Sequence, residues 1–188
     1  MTIFALSSGS GIAGIAIIRI SGPLTVSIVK NITGKEIPKP RVATLRKINN
    51  INTSELIDEG IILWFPGPQS YTGEDMAEIH VHGGKSVIQE VINSISSIKD
   101  CRLADPGEFT KLAFQNGKIN LLKAESIGDL ISAETEIQRS QAIKIMKGNS
   151  ANKFNQLREK LLKILSFVEA KIDFPDEDLP EENLKKIK

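Results

Sequence analysis

Cysteine is almost absent from these 188 residues: Cys101 stands alone, so no disulfide can close within the chain, and a reducing compartment fits that usage. With no second thiol and no base beside it, Cys101 reads as a small half-buried residue rather than a nucleophile. Histidine is nearly as scarce, with His80 and His82 the only two. Charge excess is missing as well. Lysine and arginine number 24 against 23 aspartates and glutamates, a net charge of +1, which excludes a nucleic-acid footprint carried by composition alone. No apolar run nears the ~20 residues that cross a bilayer. The opening MTIFALSSGSG has neither the basic segment nor the long apolar stretch of a secretory signal. No repeat or low-complexity tract interrupts the chain. No G-x-x-x-x-G-K-[ST] occurs, so these residues are expected neither to bind nor to hydrolyse GTP. What remains, 40% hydrophobic and 25% charged, is ordinary globular composition with enough length for one ample core plus part of a second domain. The expectation is a cytoplasmic protein with no membrane segment.

Punctuation divides the chain near residue 118. Before it, GIAIIRI (14–20) and EGIILWF (59–65) are β-branched runs bounded by glycine and proline. GPLTVSIVKNITGK predicts a short helix ending near Gly34, followed by a proline-rich turn at IPKP. KSVIQEVINSISSI (85–98) spaces Val87, Val91, Ile95 and Ile98 as one helical face. ADPGEFTKLAFQNGK (104–118) predicts a helix with Asp105 as N-cap, Pro106 at N1, Glu108 at N3 and a stop at Asn116-Gly117. Lys118 follows that stop and is expected in a rigid local frame. Beyond it the pattern is helical throughout, broken between Ser132 and Thr135, with Ser150 expected to cap a long final helix. Phe154, Leu157, Leu161, Ile164 and Val168 step 3-4-3-4 along that helix and call for partner helices. The stretch DFPDEDLPEENLKKIK reads as an acidic, proline-broken linker and a polar stub, as if the helical part continued elsewhere. The predicted class is α+β: a mainly antiparallel mixed sheet with helices, then part of a helical bundle.

Three motifs carry chemistry. GSGIAG (9–14) satisfies G-x-G-x-x-G literally, but the dinucleotide fingerprint needs a helix after it and β-branched IAIIRI follows instead. A loop entering a strand is the reading. Arg19 is a charge inside an apolar strand, where it must be paired or meet a ligand; Glu78 is a candidate partner. EDMAEIHVHGG (74–84) alternates, putting Ala77, Ile79 and Val81 on one face and Glu78, His80 and His82 on the other. That second face has three readings. It can be a metal site, with carboxylates from elsewhere completing the ligand set. It can be the solvated side of a sheet. It can also be a pocket wall where a carboxylate presents its oxygens to a flat donor edge, with the following glycines allowing close approach.

Four stretches, IIRISGP (17–23), LWFPGPQSYTGEDMAEIHVHGG (63–84), PGEFTKLAFQNGKINLLKAESIGDLI (106–131) and VEAKIDFPDED (168–178), together resemble the N-terminal region of the MnmE/TrmE family of tRNA-modification GTPases. The resemblance implies a folate-binding and dimerisation domain over 1–117, like the tetrahydrofolate-binding domain of aminomethyltransferases. It implies the first helices of an incomplete helical domain over 118–188. In such proteins GTP, potassium and magnesium belong to an inserted GTPase domain, of which these residues contain nothing. The family acts with a flavin-dependent partner protein on the wobble uridine of tRNA, and its N-terminal domain forms a homodimer and binds a 5-formyl-tetrahydrofolate-type one-carbon carrier.

Carried over residue by residue, the resemblance implies Arg19, Glu78 and Lys118 as the folate site. A pterin edge offers an amide N–H beside an amino group, which a carboxylate such as Glu78 can accept as a pair. Arg19 and Lys118 can orient that carboxylate or meet the carrier's anionic groups. His80 and His82 then become supporting or lining residues. No catalytic residue and no metal ligand is expected. Three places depart from the family pattern: GIAG (11–14) where Gly-Arg-Gly-Gly is common, Lys111 where arginine is usual, and Asn120 where aspartate is usual. Two alternatives stand beside this reading: a free-standing folate-dependent one-carbon transferase, and a metal-dependent hydrolase built on Glu78, His80 and His82.

Overall fold

Alternation along 77–81 decides where the core lies. Ala77, Ile79 and Val81 are buried, and the residues between them are turned to the opposite face. The computed structural model describes residues 1–9 and 11–173. These form two compact units, Met1–Ile119 and a second that begins at Asn120.

The first unit contains the strands β1 (Thr2–Leu6), β2 (Ala13–Ser21), β3 (Thr44–Asn49), β4 (Leu56–Phe65), β5 (Met76–Gly83) and β6 (Cys101–Leu103). Helices α1 (Thr25–Thr33), α2 (Lys85–Ser96) and α3 (Glu108–Gln115) lie between and after them. The sheet order is β3-β4-β5-β2-β1-β6, antiparallel throughout except for the parallel β1–β6 pair. The predicted mixed, mainly antiparallel sheet is therefore present. Ile18 and Ile20 of β2, Ile62 and Trp64 of β4, and Ile79 of β5 form its buried face together with Phe4. Ile28, Val29 and Ile32 of α1 and Val91 and Ile95 of α2 cover that face. Apolar spacing of three and four residues on each helix is what makes this cover possible.

Glycine ends α1 as expected, with Gly34 at φ 63° and its N–H on the Lys30 carbonyl. Two sequence expectations for this unit need correction. Asp105 does not cap α3. The helix starts at Glu108, after Gly107 at φ 77°, because Asp105–Glu108 closes as a turn, with Glu108 N–H on the Asp105 carbonyl at 3.0 Å. Only the return half of the capping box survives, the Asp105 N–H donating to Glu108 Oε2 at 2.8 Å. The glycine after His82 does not leave room for a ligand either. A Cβ on Gly83 would run into the backbone of Ala13 on β2, so that glycine serves strand packing. Around GSGIAG, strand β2 follows the loop from Ala13 onward, as the β-branched run indicates; Ser10 lies outside the described residues.

In the second unit, α4 (Leu121–Ser132), α5 (Glu136–Met146) and α6 (Asn149–Asp173) follow one another. Asn120 caps α4 by accepting the Lys123 N–H at 2.9 Å, a task aspartate performs equally well. The break before α5 is a full capping box between Thr135 and Gln138. Ser150 falls inside α6 rather than ahead of it, and the Gly148 carbonyl accepts the first helical bond from Asn152. Along α6, Phe154, Leu157, Leu161 and Val168 are exposed, and Ile164 is half-buried. The acidic linker beyond Asp173 lies outside the described residues. Among the described residues no helix is long and apolar enough to cross a membrane.

Ile79 is fully buried at the centre of the sheet. Ile79→Ala should therefore lower unfolding free energy by about 2–5 kcal/mol, measured by urea denaturation followed through the fluorescence of buried Trp64.

Candidate functional site

Arg19 and Glu78 meet because β2 and β5 are antiparallel neighbours and the two residues are direct cross-strand partners. Pleating puts both on the face away from the core. The Arg19 Nε and Nη2 both donate to one oxygen of Glu78, Oε1, at 3.1 and 2.8 Å. The side chains are 28% and 14% exposed, so the pair is only partly solvated. The second oxygen, Oε2, faces His80 Nε2 at a long 3.4 Å and keeps most of its accepting capacity. The arginine thus holds one oxygen of the carboxylate and leaves the accepting capacity of the other to further donors.

Aromatic rings enclose the guanidinium. Arg19 Cζ lies 5.6 Å from the Tyr71 ring centroid and 5.5 Å from that of Phe109, within cation–π range. Tyr71 belongs to the segment between β4 and β5, and Phe109 to α3. Their elements are tied by a hydrogen bond of 2.9 Å between the Tyr71 hydroxyl and Thr110 Oγ1. The same segment is fastened to β2 by a buried cluster: Ser21 Oγ and Thr72 Oγ1 are 2.7 Å apart, and Ser21 Oγ donates to Glu74 Oε2 at 2.9 Å.

Lys118 arrives from the end of α3. The Gly117 N–H bonds Phe114 and the Lys118 N–H bonds Ala113, at 3.0 and 2.8 Å, with Gly117 at φ 67°. This pairing is the Schellman stop. The side chain of Lys118 lies beside Gly73, on the segment that also carries Tyr71. Arg19 and Glu78 are thus in direct contact, whereas Lys118 belongs to the same unit and is linked to them through residues 71–73.

His80 stays at long range from Glu78, whereas His82 has a different partner. His82 turns outward, its Nδ1 2.9 Å from Asp58 Oδ1 while its N–H donates to Asp58 Oδ2 at 2.8 Å. Burial pushes the Asp58 carboxyl up, but hydrogen bonds from the backbone and ring of His82 and from the Glu59 N–H outweigh it, and the net shift is downward. Among the described residues no three His, Cys, Asp or Glu side chains converge as metal ligands. Cys101 is half-buried, and burial, with Asp100 adding to it, raises its thiol pKa, which disfavours the thiolate.

Two family models match this chain. The one described as GTP-binding protein TrmE N-terminus matches residues 2–118, and the one described as MnmE helical domain matches residues 121–188. The chain belongs to the MnmE (TrmE) family. It is 77% identical over 188 residues to the tRNA modification GTPase MnmE of Pelagibacter ubique (strain HTCC1062), covering all of this chain and 42% of that protein. It is 48% identical to the tRNA modification GTPase MnmE of Rickettsia akari (strain Hartford), over 99% of this chain and 42% of the relative. The mitochondrial 5-taurinomethyluridine-[tRNA] synthase subunit GTPB3 of Danio rerio is 45% identical over 97% of the chain, which spans 36% of it. The chain thus spans well under half the length of these relatives.

Sequence reasoning named Arg19 and Glu78 but passed over Tyr71, Thr72 and Phe109 in this MnmE-family chain. A signal for Tyr71 and Thr72 was present in SYTGED, where the chain's only tyrosine sits in a Gly- and Pro-rich connection, a setting more usual for polar residues.

The frame under Lys118 has a pH limit. Hydrogen bonding from Arg102, against a smaller burial effect, lowers the Glu108 carboxyl from 4.5 to about 2. Because the folded-state pKa is the depressed one, this tie supports the fold above pH 4.5 and is lost as pH falls through about 2. Carboxyl-detected NMR should show Glu108 titrating near that value, and Arg102→Gln should return it toward 4.5.

Proposed function

We propose that this chain is the reduced-folate-binding and dimerisation module of a tRNA-modifying GTPase acting on the wobble uridine of tRNA. The carrier is a tetrahydrofolate derivative of the 5-formyl type, held by Arg19, Glu78 and Lys118. The observation that carries the reading is the geometry of the Glu78 carboxylate, anchored by Arg19 through Oε1 and open at Oε2. A pterin ring presents adjacent N–H donors in one plane, and an ionised acceptor held in a partly dry site rewards such a partner more than water does. Lys118 supplies an ammonium on a fixed backbone, suited to the carrier's anionic groups. On this reading the module works, within a longer protein, beside GTP-binding residues that use potassium and magnesium, and together with a flavin-dependent partner protein and tRNA.

Homodimerisation draws support from the sheet face opposite the core. Ile15, Leu45 and Ile61 are exposed and line, with His80 and His82, a shallow depression of about 220 Å³. Apolar side chains clustered this way on a sheet favour a covering partner, and a second copy of the same unit places an identical patch against it. The transferase alternative draws less support, since residues 121–188 match the MnmE helical domain. The hydrolase alternative lacks a ligand set among the described residues.

Calorimetry with 5-formyl-tetrahydrofolate tests the site. Glu78→Gln exchanges an acceptor for a donor and should weaken binding by about 1.5–3 kcal/mol; unchanged affinity removes Glu78 from the site. Sedimentation across a concentration series tests the interface. Ile61→Lys should shift the chain toward monomer, and a wild type that is monomeric at every concentration sinks the dimer.

A further inference from the structure

Residues 71–73 touch both ends of the candidate site, with Tyr71 over Arg19 and Gly73 beside Lys118. Gly73 has φ 84°, a conformation that side chains rarely adopt. A Cβ built there would lie 3.1 Å from Asn116 Cβ and 3.1 Å from Lys118 Cε, tight enough that one or both would have to shift. A side chain at Gly73 would therefore press on both Asn116 and the Lys118 stem. Asn116 closes the arrangement by donating from Nδ2 to the Thr72 carbonyl at 2.7 Å. That bond ties the end of α3 to the segment carrying Tyr71. The segment is held in turn by the Ser21–Thr72–Glu74 cluster on β2, two residues from Arg19.

We infer that Gly73 and Asn116 are positioning residues, which seat the Lys118 ammonium at a set separation from the Arg19–Glu78 pair and so determine affinity for the anionic part of the ligand. This rests on the folate reading proposed above. Neither residue needs to touch the ligand. Their effect passes through Lys118: a methyl group at Gly73 pushes on its Cε, and loss of the Asn116 amide frees α3 from residue 72. Backbone strain at Gly73 is a separate cost that would act on stability whether or not Lys118 is present.

A double-mutant cycle separates the two. Calorimetry with 5-formyl-tetrahydrofolate is run on wild type, Gly73→Ala, Asn116→Ala, Lys118→Met and each pair with Lys118→Met. Gly73→Ala and Asn116→Ala should each weaken binding about tenfold alone and leave it nearly unchanged in the Lys118→Met background. Both should also flatten the salt dependence of the dissociation constant as Lys118→Met does. Equal losses in both backgrounds overturn the inference, since the residues then act on folding or on another contact. Asn116→Ala keeps the test valid if Gly73→Ala does not fold. A second readout needs no folate: after reductive methylation with ¹³C, the Lys118 signal should stand apart from those of free lysines and move in Gly73→Ala. If wild type binds no folate but that signal behaves so, the functional reading falls and the seat stands. If Lys118 resonates with the free lysines in wild type, the seat falls.

Discussion

A charge on a central strand constrains everything around it. Arg19 has β5 on one side and β1 on the other, so its guanidinium cannot leave the sheet face and must be satisfied there. Glu78 neutralises it directly across the ladder, and two aromatic rings close over it. Each ring must be brought by an element outside the sheet, which explains why the β4–β5 connection and α3 are bonded to one another and to β2. Removing Glu78 would orphan a half-buried cation, so the pair holds the fold and shapes a potential binding site at once. The two roles do not conflict, because only one carboxylate oxygen is engaged by the arginine.

Much of this was legible in the residues themselves. The alternation Ala77, Ile79, Val81 against Glu78, His80, His82 identified strand and faces together, since only a period of two sorts them so cleanly. Gly34, Gly117 and the Ser132–Thr135 break announced helix ends because each supplies a capping group or a left-handed residue. Strands β1, β3 and β6 left weaker traces. TLRKIN interleaves charges on an edge, and CRL is too short to show any period. Their pairing is a tertiary fact that no local pattern encodes. Asp105 misled because Asp-Pro-Gly-Glu fits both a capping box and a turn, and Gly107 at positive φ decides for the turn. The pairing of Arg19 with Glu78 was anticipated as one option. The enclosure by Tyr71 and Phe109 was not, because cation–π partners have no fixed sequence spacing.

The second unit poses a different physical situation. Its first two helices are punctuated by strong caps at Asn120 and Thr135, local features that need no partner. The apolar stripe on α6 is non-local in its requirement: it gains nothing until another surface covers it. Among the described residues the strong caps thus stand on α4 and α5 and the exposed stripe on α6.

The parallel pairing of β1 with β6 has a consequence for the order of events during synthesis. Thr2 is fully buried and its N–H bonds the Asp100 carbonyl at 3.0 Å, so β1 is synthesised long before the residues it pairs with. The antiparallel partners β2 and β5 can pair earlier, which brings Arg19 to Glu78 while β1 still has an open edge. That edge is exposed to other nascent chains until residue 103 has emerged. Closure of β6 then delivers α3, and with it Phe109 and Lys118, as the final step. Non-local closure of this kind ties the placing of Phe109 and Lys118 to completion of the sheet.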